Sequence, residues 1–238
     1  MTGTLINVAA ILAGSALGLI FGRVLQERTR KTIIAGLGLF TLAIGVQMFL
    51  ETQNSLIVLG GLLIGGLIGD ALRLERRLNN IGVRLEKRFS GEGESTASAQ
   101  ARFVKGFMTT SLLFCIGPIA ILGAVQDGLT GDVQLLAIKS IMDGFASFAF
   151  ASTLGWGVIF SAPIVLIYQG GISLLASQIQ DTMTAAMTAE MTATGGVLLL
   201  GLALSSLLEI KKIRVGNFLP ALVISPLIVA GLVALGWL

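Results

Sequence analysis

Apolar residues occur along the chain in long runs separated by short polar or charged segments. A helix needs roughly 20 apolar residues to cross a bilayer core, and in lipid its backbone groups must pair within the segment. The runs therefore predict an all-α fold, a polytopic transmembrane helical bundle. About eight spans are predicted, at Gly3–Gly22, Thr32–Leu50, Ser55–Gly69, Gly106–Ala124, Val133–Ala151, Gly155–Ala176, Thr192–Leu208 and Gly216–Leu238.

Two segments between these runs predict helices that lie along a membrane surface. In Ala71–Phe89, apolar residues recur at helical spacing and six basic residues occupy the opposite face, a pattern typical of a helix on an anionic leaflet. In Ser177–Met191, apolar residues form one stripe, and the polar face of the predicted helix carries Asp181 and Glu190 and no basic residue. The third span is short and rich in glycine, which favours close helix packing but leaves open a broken or re-entrant segment.

The basic residues are grouped on alternate loops. Of the 16 Lys and Arg residues, four lie in Arg23–Lys31, eight in Arg73–Lys105 and three in Lys211–Arg214. With eight spans these groups share one side, and the positive-inside rule then predicts that both termini are outside the cytoplasm. As topology determinants, the basic residues give no reason to expect a nucleic-acid partner.

Two stretches 108 residues apart are similar: Lys31–Ala43 and Lys139–Ala151 share five of thirteen residues. They predict that spans four to six repeat spans one to three, in inverted topology because each unit has three spans. The predicted organisation is then a first repeat with a cytoplasmic amphipathic helix (1–90), a flexible linker (91–101), a second repeat with an outer amphipathic segment (102–191) and two additional spans (192–238).

The amino-acid composition excludes several kinds of catalytic site, metal site and cross-link. The chain is 54% apolar and 12% charged, with no His and a single Cys, Cys115. Histidine-dependent catalysis, a structural zinc site of the usual kind and an intrachain disulfide are therefore excluded. We expect no cofactor and no metal. A Ser–Lys dyad with Lys139 stays open, but an enzyme is not the expected function.

The leading candidate site is on the fifth span. Lys139 and Asp143 are four residues apart on one helix face, with Ser140 and Ser147 on nearby faces. A charge inside a membrane is costly unless it is paired or faces water, so the two residues predict either a solute or proton site or an ion pair that only stabilises the helix. In the second case Lys139 would extend toward the interface.

The segment before that span carries further candidates. Pro118 removes a backbone donor within the fourth span, and Asp127 and Asp132 either bind a cation on the outer side or form a tight turn. Three isolated polar residues in spans, Asn7, Gln47 and Gln169, are expected to hold helices together.

These patterns favour a secondary transporter or channel for a small solute or ion, with a site near the interface of the two repeats. The alternative is a non-transporting scaffold or regulatory subunit that binds a partner through the basic amphipathic helix. Membrane lipid is the other expected partner. The Gly-rich helices make a homo-oligomer plausible.

Four phrases resemble one known family. They are IGDALRLE at Ile68–Glu75, FCIGPIAILGAVQDGLTGD at Phe114–Asp132, KSIMDGFAS at Lys139–Ser147 and GNFLPAL at Gly216–Leu222. Together they resemble the YdfK/YqgA-like family of uncharacterised bacterial membrane proteins (domain of unknown function 554), over nearly the whole chain. The resemblance implies a location in the bacterial cytoplasmic (inner) membrane. It implies no substrate and carries no functional residue onto this sequence.

Overall fold

A computed structural model describes residues 1–89, 97–180 and 183–237, with the backbone alone at 118, 179 and 180. Within these residues the chain is all-α, as predicted. The helices are α1 (Thr2–Gly22), α2 (Glu27–Phe49), α3 (Ser55–Ala71), α4 (Leu74–Phe89), α5 (Ala97–Ile116), α6 (Pro118–Thr130), α7 (Gln134–Leu154), α8 (Ser161–Leu174), α9 (Ala176–Gln180), α10 (Ala185–Leu202) and α11 (Ala221–Ala234). Short 3₁₀ helices, Trp156–Phe160 and Val215–Phe218, precede α8 and α11, and a π-helical segment, Ala203–Leu207, follows α10.

Several helices are long and apolar enough to cross a membrane. Six such segments occur in the described residues, and up to eight if α3 with α4 and α5 with α6 each count as one span. The predicted membrane-spanning character is therefore confirmed. Eight spans is the upper value of this range.

Two helix starts differ from the sequence prediction. Helix α2 begins at Glu27, five residues before the predicted span, so that Arg28, Arg30 and Lys31 belong to its first turns. Helix α5 begins at Ala97, and the last five residues of the predicted linker are therefore helical. Residues 91–96 of that linker lie outside the described residues.

The segment Ser177–Met191 is not one surface helix. Helix α9 ends at Gln180, and α10 begins at Ala185, where the Thr184 side chain accepts a hydrogen bond from the Met187 amide. This cap stabilises the start of α10 at Ala185. From there the helix continues without a break into the predicted seventh span. Glu190, expected on an exposed polar face, is only 1% exposed. Asp181 lies outside the described residues.

The chain divides into two compact units, and the first contains Met1–Gly36, Leu78–Cys115 and Ile119–Gln180. Its central pair is α1 and α7. Three α1 glycines lie so near α7 that a Cβ on any of them would be under 3.0 Å from a backbone oxygen. The facing positions are Gly14 with Gly144, Gly18 with Phe148 and Gly22 with Ser152. The residue numbers of the facing positions increase together in α1 and α7, so the two helices are parallel. They pack closely at these small residues, as helices do in many membrane proteins.

The second unit contains Leu37–Arg77, Ile116–Pro118 and Asp181–Leu238. Here α3 packs on α11 and the 3₁₀ helix before it, again through glycines spaced by four residues. The facing positions are Gly61 with Ser225, Gly65 with Ala221 and Gly69 with Asn217. The two series run in opposite directions, so these helices are antiparallel. The glycines of α3 therefore serve close packing, as predicted.

Candidate functional site

The Lys139–Asp143 pair lies buried in the first unit, halfway along α7. Lys139 Nζ donates hydrogen bonds to Asp143 Oδ1 at 2.9 Å and to Oδ2 at 2.7 Å. Both side chains are only 9% exposed, and the ammonium lies 6.0 Å from the centroid of the Phe114 ring on α5. Lys139 therefore turns inward to Asp143 and does not extend toward an interface. The i, i+4 spacing allows this contact.

Amide side chains from two other helices complete the cluster. Asn7 on α1 donates from Nδ2 to Asp143 Oδ2 at 3.0 Å and to Gln169 Oε1 on α8 at 3.2 Å. Asn7 and Gln169 are fully buried. An ionised carboxylate only accepts hydrogen bonds, so the Asn7 amide must present its nitrogen to Asp143, and its oxygen points elsewhere. We call Asn7, Lys139, Asp143 and Gln169 the polar cluster.

The polar cluster leaves hydrogen-bonding atoms unused. Asn7 Oδ1, an acceptor, and Gln169 Nε2, a donor, are buried and have no hydrogen-bond partner among the described residues. Among the described residues nine side chains contain such an atom, and all nine lie in the first unit. They are Thr4, Asn7, Ser15, Arg30, Thr109, Ser111, Ser147, Gln169 and Ser173. Buried polar atoms are nearly always paired with protein or water, so these atoms of the first unit can each form a further hydrogen bond.

The two candidate serines of α7 have different environments. Ser140 is 2% exposed, and its hydroxyl donates to the Leu136 carbonyl at 2.6 Å within the same helix. Ser147 is fully buried, and its hydroxyl has no partner. Of the two, Ser147 is therefore the one with a hydroxyl that remains available, one helical turn beyond Asp143.

The two carboxylates predicted to lie in the segment before the fifth span have separate partners: Asp127 is on α6, and Asp132 lies between α6 and α7. Asp127 is 3% exposed and accepts hydrogen bonds from the Gly3 amide at 3.0 Å and the Thr4 amide at 3.4 Å, so it caps the start of α1. Asp132 accepts from the Gln134 amide at 2.9 Å, at the start of α7. Within the described residues no three His, Cys, Asp or Glu side chains are grouped to hold a metal ion.

Pro118 begins α6, a position where its missing N–H costs nothing because first-turn amides have no helical partner. Helix α5 ends at Ile116, and the two helices are bent by 62° at the break between them. The predicted interruption of the fourth span is therefore present. The Pro118 side chain lies outside the described residues.

Two carboxylates of the second unit were given no role by sequence reasoning. Glu190 accepts hydrogen bonds from Thr52 Oγ1 at 2.7 Å and from the Gln53 and Asn54 amides at 2.8 and 2.9 Å, so it holds the loop before α3. Glu75 Oε2 accepts from the Gly216 amide at 2.7 Å. Burial raises the pKa of Glu75 above its ordinary value, against the lowering effects of that hydrogen bond and of the Arg214 charge.

Comparisons with known proteins agree with the resemblance seen in the sequence. The chain is 33% identical to the uncharacterized membrane protein YdfK of Bacillus subtilis (strain 168) over 240 residues, 99% of each chain. It is 33% identical to the uncharacterized protein YqgA of Escherichia coli (strain K12) over 224 residues, 94% of each chain. No solved structure matches. Residues 2–230 match the family described as "Protein of unknown function (DUF554)", and the chain belongs to this family.

Proposed function

We propose that this protein is a secondary transporter or channel for a small polar solute or ion, and that the polar cluster of the first unit is its binding site. The observation that carries the proposal is the buried Lys139–Asp143 pair, bonded to Asn7, whose own oxygen has no partner. Gln169 Nε2 is likewise free. A donor and an acceptor without partners beside a charged pair are the groups that a small polar guest would bond.

A purely structural role explains the pair poorly. Replacing a buried ion pair by apolar residues of similar volume is often neutral or stabilising, so a protein that needed only helix packing would have little reason to place charges there. Ionisable residues within spans commonly mark a solute, ion or proton pathway. We infer that Asp143 exchanges its partners, with a proton or a cation taking the place of the Lys139 ammonium.

The residues of the polar cluster come from both predicted repeats, which supports a binding site at the interface of the repeats. Asn7 is on α1, in the first predicted repeat, and Asp143 and Gln169 are on α7 and α8, in the second. Transporters with inverted repeats bind their substrates where the repeats meet, near the middle of the membrane. Asp143 lies at the middle of α7.

Helix directions support a topology of eight spans. Successive spans run in opposite directions, so the first and fifth should be parallel and the third and eighth antiparallel. Within the first unit α1 and α7 are parallel, and within the second α3 and α11 are antiparallel. If α3 is a full span, both relations are met when α5 and α6 together cross once. We therefore propose eight spans in a bacterial inner membrane, for which the positive-inside rule favours both termini outside the cytoplasm.

The test is uptake by the full chain reconstituted in liposomes. A panel of small ions and metabolites is offered with and without a pH gradient, to wild type and to the Asp143→Asn and Lys139→Gln variants. We expect at least one solute to enter with wild type and not with the variants. Uptake that is independent of the pH gradient would remove proton coupling through Asp143, and uptake equal in all three proteins would remove the site.

A second candidate function rests on α4. All six basic residues in and just before it are exposed: Arg73, Arg76, Arg77, Arg84, Lys87 and Arg88. This basic face supports a scaffold or regulatory subunit that binds a partner or an anionic leaflet there. Full activity in Asp143→Asn, with loss of activity when the α4 charges are neutralised, would favour this function over transport.

A further inference from the structure

A pocket with three arginines lies in the first unit, away from the polar cluster. Its volume is about 300 Å³, and it opens where α1 and α7 end. Arg23, Arg30 and Arg102 line it, together with the hydroxyl residues Ser152 and Thr153 and with Trp156. No acidic residue lines it within the described part of the chain. Three guanidinium groups around one cavity, each charged at any physiological pH, give it a strongly positive potential.

The arginines are incompletely paired. Arg30 donates to the Gly22 carbonyl, which closes the end of α1, but its Nε is buried and has no partner. Arg23 and Arg102 are exposed, and neither side chain forms a hydrogen bond or ion pair within the described residues. Most of the donors that the three guanidinium groups carry are therefore free to bond a ligand.

The wall of the pocket brings backbone close to one guanidinium. Gly155 has φ +85°, a conformation that favours glycine, and a Cβ built on it would lie 3.8 and 3.9 Å from Arg102 Nε and Nη2. The absence of a side chain at residue 155 keeps the space beside Arg102 open. The Arg102 guanidinium lies beside Gly155 at the edge of the cavity, and its planar fork of donors is available.

We propose that this pocket binds the phosphate group of an anionic ligand. Guanidinium forks match the paired oxygens of phosphate, and several of them around one cavity favour a group with more than one charge. Free inorganic phosphate and the headgroup of an anionic phospholipid share this chemistry. The proposal does not depend on transport or on the polar cluster, because it concerns binding at other residues.

The competing explanation is that these arginines only orient the protein in the membrane. Arg28 on α2 provides a matched control, because it is an exposed basic residue of the same unit that does not line the pocket. If the arginines acted only through general positive charge, Arg28→Gln and Arg102→Gln would change anion binding equally.

The experiment measures binding to the full chain in neutral detergent. Inorganic phosphate is titrated calorimetrically at constant ionic strength into wild type, Arg23→Gln, Arg102→Gln and Arg28→Gln. In a second arm, native mass spectrometry counts phosphatidylglycerol and phosphatidylcholine retained by each protein. Thermal unfolding without ligand checks that every variant folds, which we expect since the Arg23 and Arg102 side chains have no hydrogen-bond partners to lose within the described residues.

We expect Arg23→Gln and Arg102→Gln each to weaken binding about 10- to 100-fold, the loss of one charge-assisted hydrogen bond or more, with Arg28→Gln unchanged. Loss of phosphate binding in the calorimeter would identify a free oxyanion as the ligand. Selective loss of retained phosphatidylglycerol would identify a lipid headgroup. The proposal is overturned if neither ligand binds wild type, or if Arg28→Gln loses as much binding as the two pocket variants do.

Discussion

Removing one partner of the Lys139–Asp143 pair should cost far more stability than removing both. Asp143→Asn leaves the Lys139 ammonium buried without its anion, whereas the double variant Lys139→Met/Asp143→Leu replaces both charges with apolar side chains of comparable length. The comparison separates the cost of an unpaired charge from the value of the pair itself.

The contacts give the expected magnitudes. Breaking a buried ion pair by removing one partner costs about 3–5 kcal/mol, and replacing a whole pair with apolar residues is often neutral or stabilising by about 1–4 kcal/mol. The double variant also takes an acceptor from Asn7 Nδ2, although that nitrogen keeps its bond to Gln169 Oε1. An unsatisfied buried group costs about 1–3 kcal/mol, which offsets most of the gain. We therefore expect Asp143→Asn to be about 3 kcal/mol or more less stable than wild type and the double variant to be within about 2 kcal/mol of it.

The assay is equilibrium unfolding in mixed micelles with increasing dodecyl sulfate, followed by tryptophan fluorescence. The conservative single variant Asp132→Asn is the control, because Asp132 is an exposed carboxylate of the same unit. Two results would refute the reasoning. If Asp143→Asn is as stable as wild type, the pair is unimportant for stability. If the double variant is less stable than Asp143→Asn, the pair is a net stabilising contact.

Three further predictions concern packing, the second unit and pH. Gly18→Leu should prevent the close contact with Phe148 and reduce the yield of folded protein in size-exclusion chromatography, whereas Gly36→Leu, where a Cβ meets nothing within 4 Å, should not. Glu190→Ala should lower the free energy of unfolding by about 2–5 kcal/mol, because three hydrogen bonds are lost. The control Glu51→Ala, at an exposed residue, should lower it by less than about 0.5 kcal/mol. Equal losses in the two variants would contradict the role assigned to Glu190. Because burial raises the folded-state pKa of Glu75, the folded state binds that proton more tightly than the unfolded state. Its contribution to stability should therefore fall as pH rises from the ordinary to the raised pKa, and Glu75→Gln should flatten that part of the pH–stability profile; an unchanged profile would contradict it.

The sequence predicts the helices well because membrane spans are long and apolar. It also predicts the Lys139–Asp143 contact, which depends only on i, i+4 spacing within one helix. Helix ends were less predictable, since charged residues such as Arg28 and Arg30 are good helix formers and α2 includes them. The start of α10 was missed because Met187 and Met191 look like a surface stripe, whereas tertiary packing buries both.

Partners that come from distant helices could not be read from the sequence. Asn7 and Gln169 were expected to link helices, and they do, but only the fold brings them to each other and to Asp143, 136 residues from Asn7. The three-arginine pocket has the same origin. Arg23 and Arg30 belong to one basic group along the chain and Arg102 belongs to another, and each group alone is explained by membrane topology.

The most direct test of the central claim is solute flux through liposomes that contain the Lys139→Met/Asp143→Leu double variant, compared with wild type and Asp132→Asn at equal amounts of folded protein. Our account predicts that the double variant folds, inserts and is inactive, while Asp132→Asn transports like wild type. Flux through the double variant at the wild-type rate would contradict the account, because the pair would then be a packing element and the site would lie elsewhere.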